Sequence, residues 1–153
     1  MKSLVMALLL SAALPALAEP TVIKSHCGSA AIELTVILQE GSTLGDIESV
    51  EIFAKNTKES IRLLIKAEVG GGYENFAVAC INSKLGQVLL FQLRCTGNAC
   101  PDDDGYGIIK TDSLKQILSP VESHTSNKAH AAELLGSKPP VLFGNTISIF
   151  KSW

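Results

Sequence analysis

The chain has 153 residues, with 13 basic and 15 acidic side chains and a formal net charge of −2 at pH 7. That length fits one domain able to bury roughly two-thirds of its unfolded surface, so a core is possible without metal clusters. Mild acidity argues against a nucleic-acid partner, and an aromatic content of 5% leaves little material for a base-stacking platform or a sugar-binding shelf.

Residues 1–18 read as a signal peptide. Lys2 supplies a positive start, Leu4 to Leu14 an apolar stretch too short to span a bilayer, and Ala16-Leu17-Ala18 a small-residue cleavage site before Glu19. The expectation is a mature chain of residues 19–153 forming a single β-rich domain, exported to the periplasm or the medium. Removing the leader takes away only Lys2 among the charged residues, leaving twelve basic against fifteen acidic side chains. No cysteine follows the predicted cut, and no later run is long and apolar enough for a membrane helix, so no helical anchor is expected.

From Thr21 to about Arg94 the hydropathy alternates with period two, the signature of half-buried strands. Ile32, Leu34, Val36 and Leu38 alternate with Glu33 and Thr35. Val50, Ile52 and Ala54 alternate with Glu51 and Lys55. Ile61, Leu63, Ile65 and Ala67 share one face, opposite Arg62, Lys66 and Glu68. Turns are predicted around Gly41, Gly45 and Asp46, at Asn56 to Glu59, at Gly70-Gly71-Gly72 and at Ser83 to Gly86. The last two bracket a strand from Tyr73 to Asn82, and another runs from Gln87 to Cys95. Connections this short suit antiparallel pairs, since a parallel pair needs a long crossover.

Four cysteines, Cys27, Cys80, Cys95 and Cys100, form an even set of the kind that pairs in an oxidising compartment. Three pairings are possible. The short Cys95–Cys100 separation, with Gly97 and Asn98 between, suits a local bridge and leaves Cys27 with Cys80. Cys27 shares parity with Ile23, Cys80 with Phe76 and Val78, and Cys95 with Leu89, Phe91 and Leu93, so these three point inward. An inward Cys27 and an inward Cys80 are placed to meet across two packed sheets.

Past Cys100, Pro101-Asp102-Asp103-Asp104-Gly105 forms an acidic turn before an extended piece from Tyr106 to Thr111. Asp112 or Ser113 would cap a brief helix running through Leu118 and stopped by Ser119-Pro120. A second short helix is predicted at Asn127 to Leu135, capped by Thr125 or Ser126 and ended by Gly136, with Pro139-Pro140 beyond. Val141 to Phe143 and Thr146 to Trp153 read as returning strands. The fold class is mainly β: an antiparallel sandwich or partly open barrel with one or two short helices near the C-terminus.

Motifs for chemistry are sparse. His26, His124 and His130 have no metal-ligand spacing, and no metal or cofactor is expected. Three adjacent aspartates fan outward instead of converging as an alternating calcium loop does, so a solvated acidic turn is the plainer reading. The functional expectation is a binding module whose Cys95–Gly107 segment is a recognition loop. The Cys95–Cys100 bridge stiffens its base, and Asp102, Asp103, Asp104 and Tyr106 face a protein with a basic surface. No catalytic residue is assigned, because Gly41-Ser42-Thr43-Leu44-Gly45 has its serine misplaced for a nucleophile elbow and Gly105-Tyr106-Gly107 lacks a phosphate loop's context. Two alternatives stay open. One is a small hydrolase using paired carboxylates. The other is a small outer-membrane β-barrel, suggested by Trp153 with Ile147 and Ile149 at one parity and disfavoured by Lys151 on that face and by missing aromatic girdles.

Overall fold

A computed structural model describes residues 20–38, 47–66, 73–95, 105–120, 126–142 and 151–152. The first four strands, β1 (Thr21–Cys27), β2 (Ala30–Leu38), β3 (Ile47–Lys55) and β4 (Ser60–Lys66), form one antiparallel sheet in chain order. Its register places Ile32 opposite Ala54 and Ile52 opposite Leu63, so the period-two apolar positions share one face. A register shift between Ile37 and Leu38 ends that regularity, and Leu38, expected inside, is exposed.

The second sheet follows with β5 (Tyr73–Ser83), β6 (Gly86–Cys95), β7 (Gly105–Lys110) and β8 (Gln116–Leu118), again antiparallel neighbours. At its far edge the two-residue β9 (Lys151–Ser152) pairs parallel to β5 at Ala79 and Cys80. The two sheets pack face to face as a sandwich, β1 over β6 and β3 over β5. Ile32, Leu34, Val50 and Ile52 meet Phe76, Val78, Leu89 and Phe91 between them. The Phe76 and Phe91 rings stand 6.2 Å apart and tilted. Among the described residues the strands form two separate sheets and no closed barrel, and the interior between them is a packed interlayer.

The disulfide Cys27–Cys80 ties edge strand β1 to β5 across this interlayer, with Cα atoms 5.3 Å apart and a sequence separation of 53. The inward parity of both cysteines is what brings them together. Cys95 is described only by its backbone, at the end of β6, and Cys100 lies outside the described residues, as does Ala67.

The second sheet differs from the one-faced expectation. Ala77, Ala79, Val88, Leu90, Tyr106 and Ile108 point away from the interlayer and are fully buried as well. Their cover is α1 (Lys128–Leu135), contributing Ala131 and Leu135, together with Leu118 and Leu142. Continuous apolar runs, Phe76 to Ala79 and Val88 to Phe91, are the sequence mark of a strand buried on both faces. Gly107 shows how tight this sheet is: a Cβ there would lie 1.9 Å from Cζ of Phe91, its cross-strand partner.

Two C-terminal expectations change. The predicted helix from Asp112 or Ser113 to Leu118 is instead a turn followed by β8, whose backbone completes the ladder on β7. Leu114 takes φ 45°, a left-handed conformation that costs about 1 kcal/mol, and buries its side chain between the sheets for roughly 2 kcal/mol in return. The segment at Val141–Leu142 is not a strand. Leu142 is fixed by its backbone N–H donating to Gln92 Oε1 at 2.9 Å and by burial over the second sheet. The helix predicted from Asn127 is present as α1, closed by Gly136 at φ 75°, whose N–H bonds the carbonyls of Ala132 and Glu133.

Candidate functional site

The expected recognition segment divides in two. Asp102, Asp103, Asp104 and the Cys95–Cys100 bridge lie outside the described residues, whereas both of its roots are described. Leu93 on β6 pairs with Gly105 on β7, both buried, and β6 runs two residues further along β5 to Cys95 before the connection begins. Tyr106 departs from the expectation: it is 0% exposed and presents no side chain to a partner. The reason is that the face of β7 it occupies is roofed by α1 and Leu142 instead of open to water.

Tyr106 is the centre of a buried polar clasp. Its backbone N–H donates to Asn127 Oδ1 at 2.8 Å, and Asn127 Nδ2 donates back to the Tyr106 carbonyl at 2.7 Å and to the Ser119 carbonyl at 2.9 Å. Gln92 Nε2 donates to the Tyr106 hydroxyl at 3.2 Å while Gln92 Oε1 accepts from Leu142. Asn127 occupies the N-cap position of α1 yet makes no capping hydrogen bond, because its amide is committed to β7; Ser126 Oγ accepts from the Lys128 N–H instead. Burying two side-chain amides is tolerable only when their hydrogen-bonding groups find partners, and among the described residues no buried side-chain N or O is left unpaired. A lone Gln in the run Val88 to Leu93 was the readable sign of this clasp; Asn127's partners are not local and left none.

The outer face of the first sheet is solvated and charge-matched. Lys24 pairs with Glu33 at 3.3 Å, Arg62 pairs with Glu51 and lies 5.2 Å over the Phe53 ring, and Lys110 pairs with Asp112 at 3.4 Å on the turn before β8. Ser113 and then Lys110 hold the Asp112 carboxyl below its ordinary value of 3.8, against an opposing desolvation. Glu33, Glu51 and Asp112 therefore each have a cation as partner. Among the described residues no group of three or more His, Cys, Asp or Glu is placed to hold a metal ion, and no helix is long and apolar enough to cross a membrane. His26 and His130 are exposed and sit on different elements, while His124 lies outside the described residues.

No protein-family model, curated protein or solved structure matches the chain.

Proposed function

We propose that this protein is an exported, non-catalytic recognition module that uses its β6–β7 connection, residues 96–104, to hold a protein with a basic surface. The carrying observation is the rigid root: Leu93 paired with Gly105, and Tyr106 clasped from both sides by Gln92 and Asn127. A segment planted on such a base loses less entropy on binding than one hung from a mobile support. Asp102, Asp103 and Asp104 supply negative charge directly before β7, and a partner's cations are drawn to it at long range. Tyr106 serves in this reading as the anchor below the contact surface, not as part of it. A Cys95–Cys100 bridge would constrain the connection further. The Cys27–Cys80 disulfide is compatible with an oxidising compartment, which supports the reading of residues 1–18 as an export signal.

The test replaces Asp102, Asp103 and Asp104 with Ser and compares affinity capture from the native envelope and medium with that of the unaltered protein. The expected result is loss of a basic partner whose capture by the unaltered protein weakens with added salt. An identical set of captured proteins from both would overturn the reading.

A further inference from the structure

The four short hairpin connections all fall at one end of the sandwich. Antiparallel pairing puts Gly28-Ser29 and Asn56 to Glu59 at the same end of the first sheet, and Lys84-Leu85 and Thr111 to Lys115 at the same end of the second. Three contacts join these ends into one surface. Asn56 Nδ2 donates to the Asp112 carbonyl at 3.2 Å, while its Oδ1 closes its own turn by accepting from Lys58 and Glu59. Gly28 sits so close to β6 that a Cβ there would lie 2.7 Å from Gln87 Oε1 and 3.1 Å from Thr111 Oγ1. The Lys84 N–H donates to the Leu135 carbonyl at 3.2 Å, which brings the C-terminal end of α1 to the same place.

This pole carries Lys55, Lys58, Lys84, Lys110, Lys115 and Lys138 against Glu59, Asp112 and Glu133, a net +3 on a chain whose total is −2. Lys110 is held by Asp112. The other five lysines are exposed and form no ion pair among the described residues. They come from the β3 end, three separate turns and the segment after α1, so they are spread over the ends of both sheets instead of converging on a cleft. No arginine stands among them: Arg62 lies within β4 and Arg94 near the opposite end of β6. Lysines act as separate, mobile point charges, whereas bidentate recognition of one phosphate favours arginine.

We propose that this lysine-bearing pole docks the protein on the headgroup plane of an anionic phospholipid membrane. A plane meets only the pole, whereas a long flexible polyanion would also meet the remainder of the chain, whose net charge is −5 once the pole's +3 is set against the total of −2. Each lysine brought to such a surface strengthens partitioning roughly fivefold, and the attraction decays within a Debye length. This inference does not depend on the role of residues 96–104; the opposite pole stays free for a partner while this one is docked.

The mature chain, residues 19–153, is sedimented with phosphatidylcholine vesicles, with and without phosphatidylglycerol, across a salt series. Binding is expected only where phosphatidylglycerol is present and is expected to fall as salt rises. The variant Lys55→Ser/Lys58→Ser/Lys115→Ser/Lys138→Ser should lose about two to three orders of magnitude in partitioning. The control Lys24→Ser/Lys66→Ser, away from the pole, should lose far less; thermal melting of both variants verifies that the sandwich is intact. Equal binding to both vesicle types, equal loss in the two variants, or binding to soluble heparin with none to anionic vesicles would overturn the proposal.

Discussion

The two sheets have the same antiparallel ladder and opposite surroundings. In β1–β4 one face meets the interlayer and the other is largely solvated, where Lys24 pairs with Glu33 and Arg62 with Glu51. In β5–β7 both faces are dry, one against the first sheet and one against α1 and Leu142. The lesson concerns what each sheet tolerates. A polar side chain on the first sheet's outer face is already solvated, but one inside the second must be matched atom by atom, as Gln92 and Asn127 are. The proposed recognition segment grows from the dry sheet, where displacement of its root would break buried hydrogen bonds.

The largest expected effect comes from cutting the link between the sheets. On the chain-entropy model, closing the 53-residue separation between Cys27 and Cys80 is worth about 4 kcal/mol, so Cys27→Ala/Cys80→Ala should lose about that much in urea unfolding. A loss below about 1 kcal/mol would mean that interlayer packing alone holds β1 in place. Next comes the cover of the second sheet. Asn127→Ala strips partners from the Tyr106 backbone N–H and carbonyl and should cost about 3 kcal/mol, with hydrogen exchange accelerated at Tyr106. The matching change on the wet sheet, Arg62→Ala, removes an exposed ion pair and a ring contact and should cost under about 1 kcal/mol. If the two variants lost equal stability, the contrast between dry and solvated faces would fail.

The smallest effect is at the turn that joins the two sheets' ends. Asp112 is exposed and its carboxyl is depressed in the folded state, so its contribution is present above the ordinary value of 3.8 and is lost as pH falls through the lower folded value. Asp112→Asn should therefore lower melting slightly at neutral pH and converge with the unaltered protein at low pH, flattening the acid limb of the stability–pH curve. An unaltered acid limb would show that Ser113 and Lys110 do not couple to folding through this carboxylate.

Much of this was legible from local pattern. Alternation in residues 31–37, 50–55 and 61–66 placed the strands of the first sheet and chose their inner faces, because a one-sided strand must repeat every second residue. The short Cys95–Cys100 separation left Cys27 for Cys80, and the inward parity of both allowed them to meet across facing sheets. Tyr106 was misjudged because an aromatic after an acidic turn looks the same whether water or a helix lies over it; only the position of α1 makes the difference. The segment at Asp112 to Leu118 was misjudged for a related reason, as its short helix-like pattern yielded to an open strand edge on β7.

By itself, then, the sequence indicated strands β1 to β6, the inner face of the first sheet, a preferred cross-sheet cysteine pair and the helix ended by Gly136, all set by periodicity or turn chemistry within a few residues. The tertiary structure alone decided that the second sheet is dry on both sides, that Asn127 serves β7 instead of its own helix, and that scattered lysines gather at one pole. Those depend on which distant segments cover or adjoin one another, and burial and charge clustering belong to the assembled surface, not to any stretch of chain.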